Sequence, residues 1–160
     1  MVQNSQWGPL VWKILHTVAE HLGVSTNPLV AADEARTWVQ LLKSVEAMMP
    51  CPLCRNQYRT WRLHNPIEKI GFLRGGALRV GARDWMWRLH ENVNRDRGVQ
   101  GMTVEEAERV YAARTREELQ KDVDTLLKLL TEATQIGQAD PNAVRTWKAS
   151  LSLMRRLVSF

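Results

Sequence analysis

The sequence is short of the residues that staple or break a chain. It has two cysteines in 160 residues, Cys51 and Cys54, three positions apart. A pair that close cannot join distant segments, which excludes a secreted disulfide scaffold. Nine glycines and six prolines are few for this length. No segment is low in complexity, and no internal repeat is evident. No apolar run reaches the ~20 residues of a membrane-spanning helix. Met1 to Gln6 is polar and lacks the basic and apolar regions of a signal peptide. A soluble, intracellular protein with no membrane partner is therefore expected. No stretch competes as a strand, and Gly71, Gly75, Gly76 and Gly81 do not form a dinucleotide fingerprint, because no strand precedes them and the spacing is wrong.

What is present is enough for one globular domain. Hydrophobic residues make up 44% of the chain, and seven are tryptophans, so a packed core is available. The net charge is +5. The excess is mostly arginine, scattered rather than gathered, and no groove-reading motif accompanies it. A solvated surface and no nucleic-acid partner are expected.

Apolar residues recur at helical spacing along the whole chain. A first helix is expected from Ser5 as cap, with Pro9 in its first turn and Leu10, Val11, Ile14, Leu15, Val18 and Leu22 along one side, ending at Gly23. A second runs from about Asp33 to Met48 and stops at Pro50. A third starts at the cysteine pair and closes at Asn65-Pro66. Gly71 to Gly81 reads as a loop, and a fourth helix covers Arg83 to Arg95. Thr103 and Glu106 form the capping box of a fifth. Glu117 to Ala133 and a last segment from Val144 to Val158 are amphipathic. The fold class is all-α: a bundle of four or five helices with a helical C-terminal extension. Trp38, Trp61 and Trp147 read as core.

Chemistry concentrates at Cys51-Pro52-Leu53-Cys54. On a helical turn this spacing brings two sulfurs within disulfide reach. The helix N-terminus favours a thiolate at Cys51, and Arg55 adds positive charge beside Cys54. That suits thiol–disulfide exchange. A zinc half-site uses the same two residues but needs two more ligands, from His16, His21, His64 and His90. A thioredoxin-like site needs a preceding strand, which is absent.

The neighbours narrow the choice. Trp7-Gly8-Pro9, Trp12 and Leu15-His16-Thr17-Val18-Ala19 come first, then Met49-Pro50-Cys51-Pro52-Leu53-Cys54-Arg55, then Trp85, His90 and Val93-Asn94. In this order, from about Trp7 to Tyr111, they resemble the Erv/ALR family of FAD-linked sulfhydryl oxidases. The resemblance implies a four-helix bundle plus a short fifth helix, spanning about 1–113, with 114–160 as an extension that packs, dimerises or binds a partner. It implies FAD in the mouth of the bundle. Cys54 would be the flavin-proximal sulfur and Cys51 the outer one that meets substrate. Gly8, Trp12 and His16 match cofactor positions on the first helix; Trp85, His90, Val93 and Asn94 match those on the fourth. Tyr58 and Tyr111 are candidate aromatic walls, and Arg95 and Arg97 candidate pyrophosphate partners.

The sequence departs from the family in places. Glu91 stands where an Asn usually follows the histidine, and is expected to face elsewhere. Trp87 replaces a cysteine that many members use in a structural disulfide. The glycine-containing loop before Trp85 looks long. No third cysteine is present to act as an internal shuttle. Electrons would therefore come from a thiol-containing protein substrate, or from a separate thioredoxin-like shuttle, and pass to O2. A homodimer is expected. Compact members without their own shuttle are similar to virus-encoded ones, which would place the protein in a host cytoplasm or virion.

Overall fold

The helical periodicity is realised as seven α-helices and one short 3₁₀ helix in a computed structural model that describes residues 1–160. They are α1 (Asn4–Ala19), α2 (Pro28–Met48), α3 (Pro52–His64), the 3₁₀ helix (Ile67–Phe72), α4 (Gly75–Asp96), α5 (Val104–Ala112), α6 (Arg116–Gln135) and α7 (Pro141–Val158). There is no strand, and the all-α class holds. No helix is long and apolar enough to cross a membrane.

Most caps fall where local chemistry puts them. Thr103 and Glu106 form the box that opens α5, and Thr115 and Glu118 open α6 in the same way. Four boundaries differ from the sequence reading; the simplest is that α1 ends at Ala19, with a turn over 20–23, rather than running on to Gly23. Ser5 is not the cap of α1; Gln3 is, with its N–H donating to Gln6 Oε1 at 2.7 Å. Pro9 thus falls in the second turn, and the Ser5 carbonyl loses its helical donor. Helix α2 starts at Pro28 rather than Asp33, because Asn27 Oδ1 accepts from the N–H groups of Leu29 and Val30 and Pro28 suits a first helical position.

The last correction is larger. Gly71 to Gly81 is not a loop: α4 begins at Gly75. Glycine disfavours a helix interior by about 1 kcal/mol, but Leu78 and Ala82 are completely buried, and that burial outweighs the propensity. The glycines have another use. Gly23 ends the α1 turn at φ +75 and lies so close to the Gly75 backbone that a Cβ would collide with it.

Helix α6 packs along α1, and α7 along α2. The apolar stripes of both are spent inside the chain: Leu126, Leu130, Trp147 and Met154 are completely buried and belong to the same core cluster as Ile14, Trp38 and Met86. Trp38 and Trp147 are core, as their spacing suggests, and Trp61 packs half-buried against it. Polar ties close the ends. The Arg83 guanidinium donates to both oxygens of the buried Glu20 carboxylate, at 2.7 and 2.8 Å. Arg114 joins Thr17 to Asp122, and the Phe160 ring stacks on His21.

Trp147 tests the shared core. Its indole N–H has no hydrogen-bond partner, so only its volume matters. Trp147→Ala should cost about 3–5 kcal/mol and Trp147→Phe, which deletes only part of the ring, clearly less, both read by urea unfolding. Equal costs would mean the ring is not packed as described.

Candidate functional site

The site begins at the α2–α3 junction. Pro50 stops α2, leaving Met49 extended. Cys51 is the extended N-cap of α3, and its Sγ accepts the Cys54 N–H at 3.1 Å. Pro52 occupies the first helical position. This geometry sets the two Cα atoms 5.2 Å apart, and the cysteines form a disulfide. Arg55, expected to lend charge to Cys54, turns back instead: its Nη1 donates to the Met49 carbonyl at 2.5 Å.

Beside the disulfide lies a cavity of about 340 Å³ between α1, α2, α3 and α4. That volume is within the ordinary range for ligand pockets, about 300–1,000 Å³. Its walls are mostly apolar, from Trp7, Val11, Leu15, Leu42, Val45 and Leu89 among others. Asn4, Gln57, Asn92, Asp96 and Arg97 give it a polar edge. Cys54 lines the cavity and Cys51 does not. Cys51 keeps only 9% of its surface exposed, while Cys54 is partly exposed.

The expected site residues divide into two groups. Gly8, Trp12, Tyr58, Val93 and Arg97 line the cavity with Cys54. A Cβ built on Gly8 meets no atom within 4 Å, so the missing side chain is part of the cavity's shape. The Tyr58 hydroxyl donates to the Leu42 carbonyl at 2.5 Å. Burial pushes its pKa above the ordinary tyrosine range, which keeps it a neutral donor. The second group lies outside the lining. His90 stacks on Trp12 with ring centroids 4.1 Å apart, His16 stacks on Tyr111 at 4.4 Å, and His16 Nε2 and His90 Nδ1 share a hydrogen bond of 3.1 Å. These four rings form a tier between α1, α4 and α5. Trp85 is buried behind Tyr58, with its N–H donating to the Asn65 carbonyl. Asn94 donates to Glu91, and Arg95 reaches Asn92 on the surface.

The departures from the family pattern have structural counterparts. Glu91 does not line the cavity; a Cβ on Gly101 would strike its carboxylate. Trp87 donates to the Met102 carbonyl at 2.8 Å, tying α4 to the loop before α5. No group of three or more His, Cys, Asp or Glu side chains converges, so the cysteines have no further metal ligands at hand.

Sequence reasoning missed Asn4, Gln57, Asn92 and Asp96 on the polar edge. A partial signal existed: Asn92 and Asp96 stand four apart on one helical face, and Gln57 follows Cys54 by one turn. The lining suits a flat ring system with one polar edge, as in the FAD that the resemblance implies. Gly8 leaves room for it, Trp12 and Tyr58 offer aromatic surfaces, and Cys54 stands at its side. Arg97 is the single cation lining the cavity, with Asp96 beside it.

Burial, and secondarily the charge of His90, lowers the His16 pKa to about 3. Burial also lowers that of His90, against the pull of Glu91. Unfolded histidine takes a proton near pH ~6.5, while the folded pair resists it. Stability should therefore be flat above about pH 6.5 and fall as pH drops below it. In urea unfolding from pH 8 to 5, His16→Gln should flatten that fall. An unchanged slope would show that His16 is not the group resisting protonation.

The Erv1 / Alr family model matches residues 9–116. No curated protein and no solved structure matches the chain. The matched span runs from the second turn of α1 to the start of α6 and takes in the disulfide, α2, α3, α4 and the rest of α1 around the cavity. The chain belongs to the Erv1/Alr family, whose members are generally FAD-linked sulfhydryl oxidases.

Proposed function

We propose that this chain oxidises dithiols to disulfides with Cys51 and Cys54 as its working pair and bound FAD as its redox partner. One observation carries the reading: a disulfide at a helix N-terminus with one sulfur on a mostly apolar cavity.

The resemblance sets the order of exchange, with Cys51 as the sulfur that meets substrate and Cys54 as the one on the cavity. A substrate thiolate attacks Cys51 Sγ, the Cys51–Cys54 bond breaks, and Cys54 takes the electron pair as a thiolate. The second substrate thiol, once deprotonated, attacks the substrate sulfur of the mixed disulfide and releases Cys51. The Cys54 N–H and the N-terminus of α3 stabilise the Cys51 thiolate. Substrate leaves with its own disulfide, and the pair retains two electrons. Bound FAD would supply the acceptor for those electrons and their route to O2, giving H2O2.

Gly8, Trp12, Tyr58, Val93 and Arg97 would hold the ring system. The resemblance assigns His16, His90, Asn94, Arg95 and Tyr111 to the rest of the cofactor, and Trp12 joins the cavity wall to the ring tier that holds His16, His90 and Tyr111. Trp85 braces Tyr58 from behind. With two cysteines in the chain, the electron donor is a thiol-containing protein or a thioredoxin-like carrier that meets this pair directly. Leu53, 66% exposed between the cysteines, offers that donor an apolar contact. A homodimer, where it forms, uses a face other than the buried stripes of α6 and α7.

Purified protein should be yellow, with a flavin band near ~450 nm. Cys54→Ser should abolish oxygen uptake with dithiothreitol; retained uptake would remove the pair from the mechanism. Gly8→Leu separates cofactor binding from folding. Its side chain enters the cavity and should lower FAD affinity about tenfold or more. The melting temperature should hold or rise, because leucine is the better helix former. Undiminished FAD binding in Gly8→Leu would place the cofactor elsewhere.

A further inference from the structure

Asn4 opens α1 and lies outside the span matched by the family. Its Nδ2 is 3.5 Å from Cys51 Sγ and 3.5 Å from Cys54 Sγ. Its Oδ1 accepts the Trp7 indole N–H at 3.1 Å. An indole nitrogen only donates, so Trp7 fixes which way the carboxamide faces: oxygen toward the ring, NH₂ toward the sulfurs. The two amide hydrogens can address one sulfur each.

The segment before Asn4 is held as well. Gln138, in the turn between α6 and α7, accepts from Val2 N–H at 3.0 Å and donates to the carbonyls of Val2 and Pro50, at 2.8 and 3.1 Å. One side chain thus joins the residues preceding Asn4 to the residue preceding Cys51. Gln138, like Asn4, lies outside the residues that the family model matches.

A disulfide sulfur is a weak acceptor, whereas a thiolate is a strong one, and hydrogen bonds to charged groups are roughly twice as strong as neutral ones. The other donor on the pair is the Cys54 N–H, which serves Cys51. Arg55 is committed to the Met49 carbonyl. Cys54, the leaving sulfur of the first step, therefore has the Asn4 amide as its donor.

We infer that Asn4 is a catalytic residue of thiol–disulfide exchange, donating from Nδ2 to whichever sulfur is released as thiolate, with Trp7 as its positioning residue. When a substrate thiolate attacks Cys51, the S–S bond breaks and its electron pair passes to Cys54. The amide hydrogen bond stabilises that charge, with no proton transferred. In the second step the same amide faces the Cys51 thiolate. A better-stabilised leaving thiolate departs faster.

The inference rests on the exchange chemistry proposed above, yet its test needs neither flavin nor oxygen. Anaerobic reduction of the Cys51–Cys54 disulfide by dithiothreitol gives the exchange rate, and alkylation of the reduced, flavin-free protein across pH gives the thiolate population. Asn4→Ala should slow reduction at pH 7 about threefold to tenfold and move the alkylation profile to higher pH. Asn4→Asp should slow it further, because a carboxylate repels the thiolate. Trp7→Phe should fall between wild type and Asn4→Ala. Asn4→Ala also removes the acceptor of the buried Trp7 indole N–H, so some loss of melting temperature is expected there, and all rates are compared at a temperature where every variant is folded. Asn4→Asp keeps that acceptor and should melt with wild type. An Asn4→Ala protein with wild-type rate and profile overturns the assignment, and so does a slowed rate with an unmoved profile. If the Asn4 effects appear but the flavin-loaded protein consumes no oxygen, the oxidase reading fails and this one stands.

Discussion

The burial of α1 is the constraint on which the rest of the molecule depends. Ile14 and Val18 are completely covered and Leu15 nearly so, each contributing about 1.5–3 kcal/mol by leaving water. A helix covered on this many sides has little freedom to rotate. Its N-terminus brings Asn4 to the sulfurs, and its next turns place Gly8 and Trp12 in the cavity wall. Its last turn sends His16 into the aromatic tier, and Glu20, which caps that turn, is clamped by Arg83. Moving one helix would disturb four features together. Helix α6 packs along α1, which gives the C-terminal extension a direct hold on the site.

The electrostatics of the site come from dipoles rather than ions. The cavity is lined by one carboxylate and one guanidinium, Asp96 and Arg97. His16 is held neutral by burial, and Arg55 is turned away to brace the α2–α3 turn. What faces the sulfurs is the Cys54 N–H at the α3 N-terminus and the Asn4 amide. Fixed dipoles of this kind stabilise charge where it develops without the reorganisation that water requires. A cation would favour a thiolate at all times; dipoles of modest strength leave the pair free to return to the disulfide.

Much of the fold was legible. Helical periodicity found the α segments, and the Thr103–Glu106 box and the Asn65-Pro66 stop were read correctly, because caps depend on residues a few positions apart. The errors fall where distant contacts decide. Gly75 and Gly76 look like a loop until the burial of Leu78 and Ala82 is counted, and the need for glycine at 23 comes from two backbones meeting. Within the site, the resemblance named Gly8, Trp12, Tyr58, Val93 and Arg97, which line the cavity. It also named His16 and His90, whose partners are each other.

The amino-acid sequence by itself determined the all-helical class and the placement of a cysteine pair at the start of a helix. Both follow from short-range physics: apolar spacing, the two prolines flanking Cys51, and the reach of two side chains three positions apart. It did not determine what surrounds the pair. Asn4 meets the sulfurs across 47 and 50 residues, and Gln138 meets Pro50 across 88. No periodicity encodes such contacts, because they exist only once α1, α6 and α7 have buried their apolar faces in a common core.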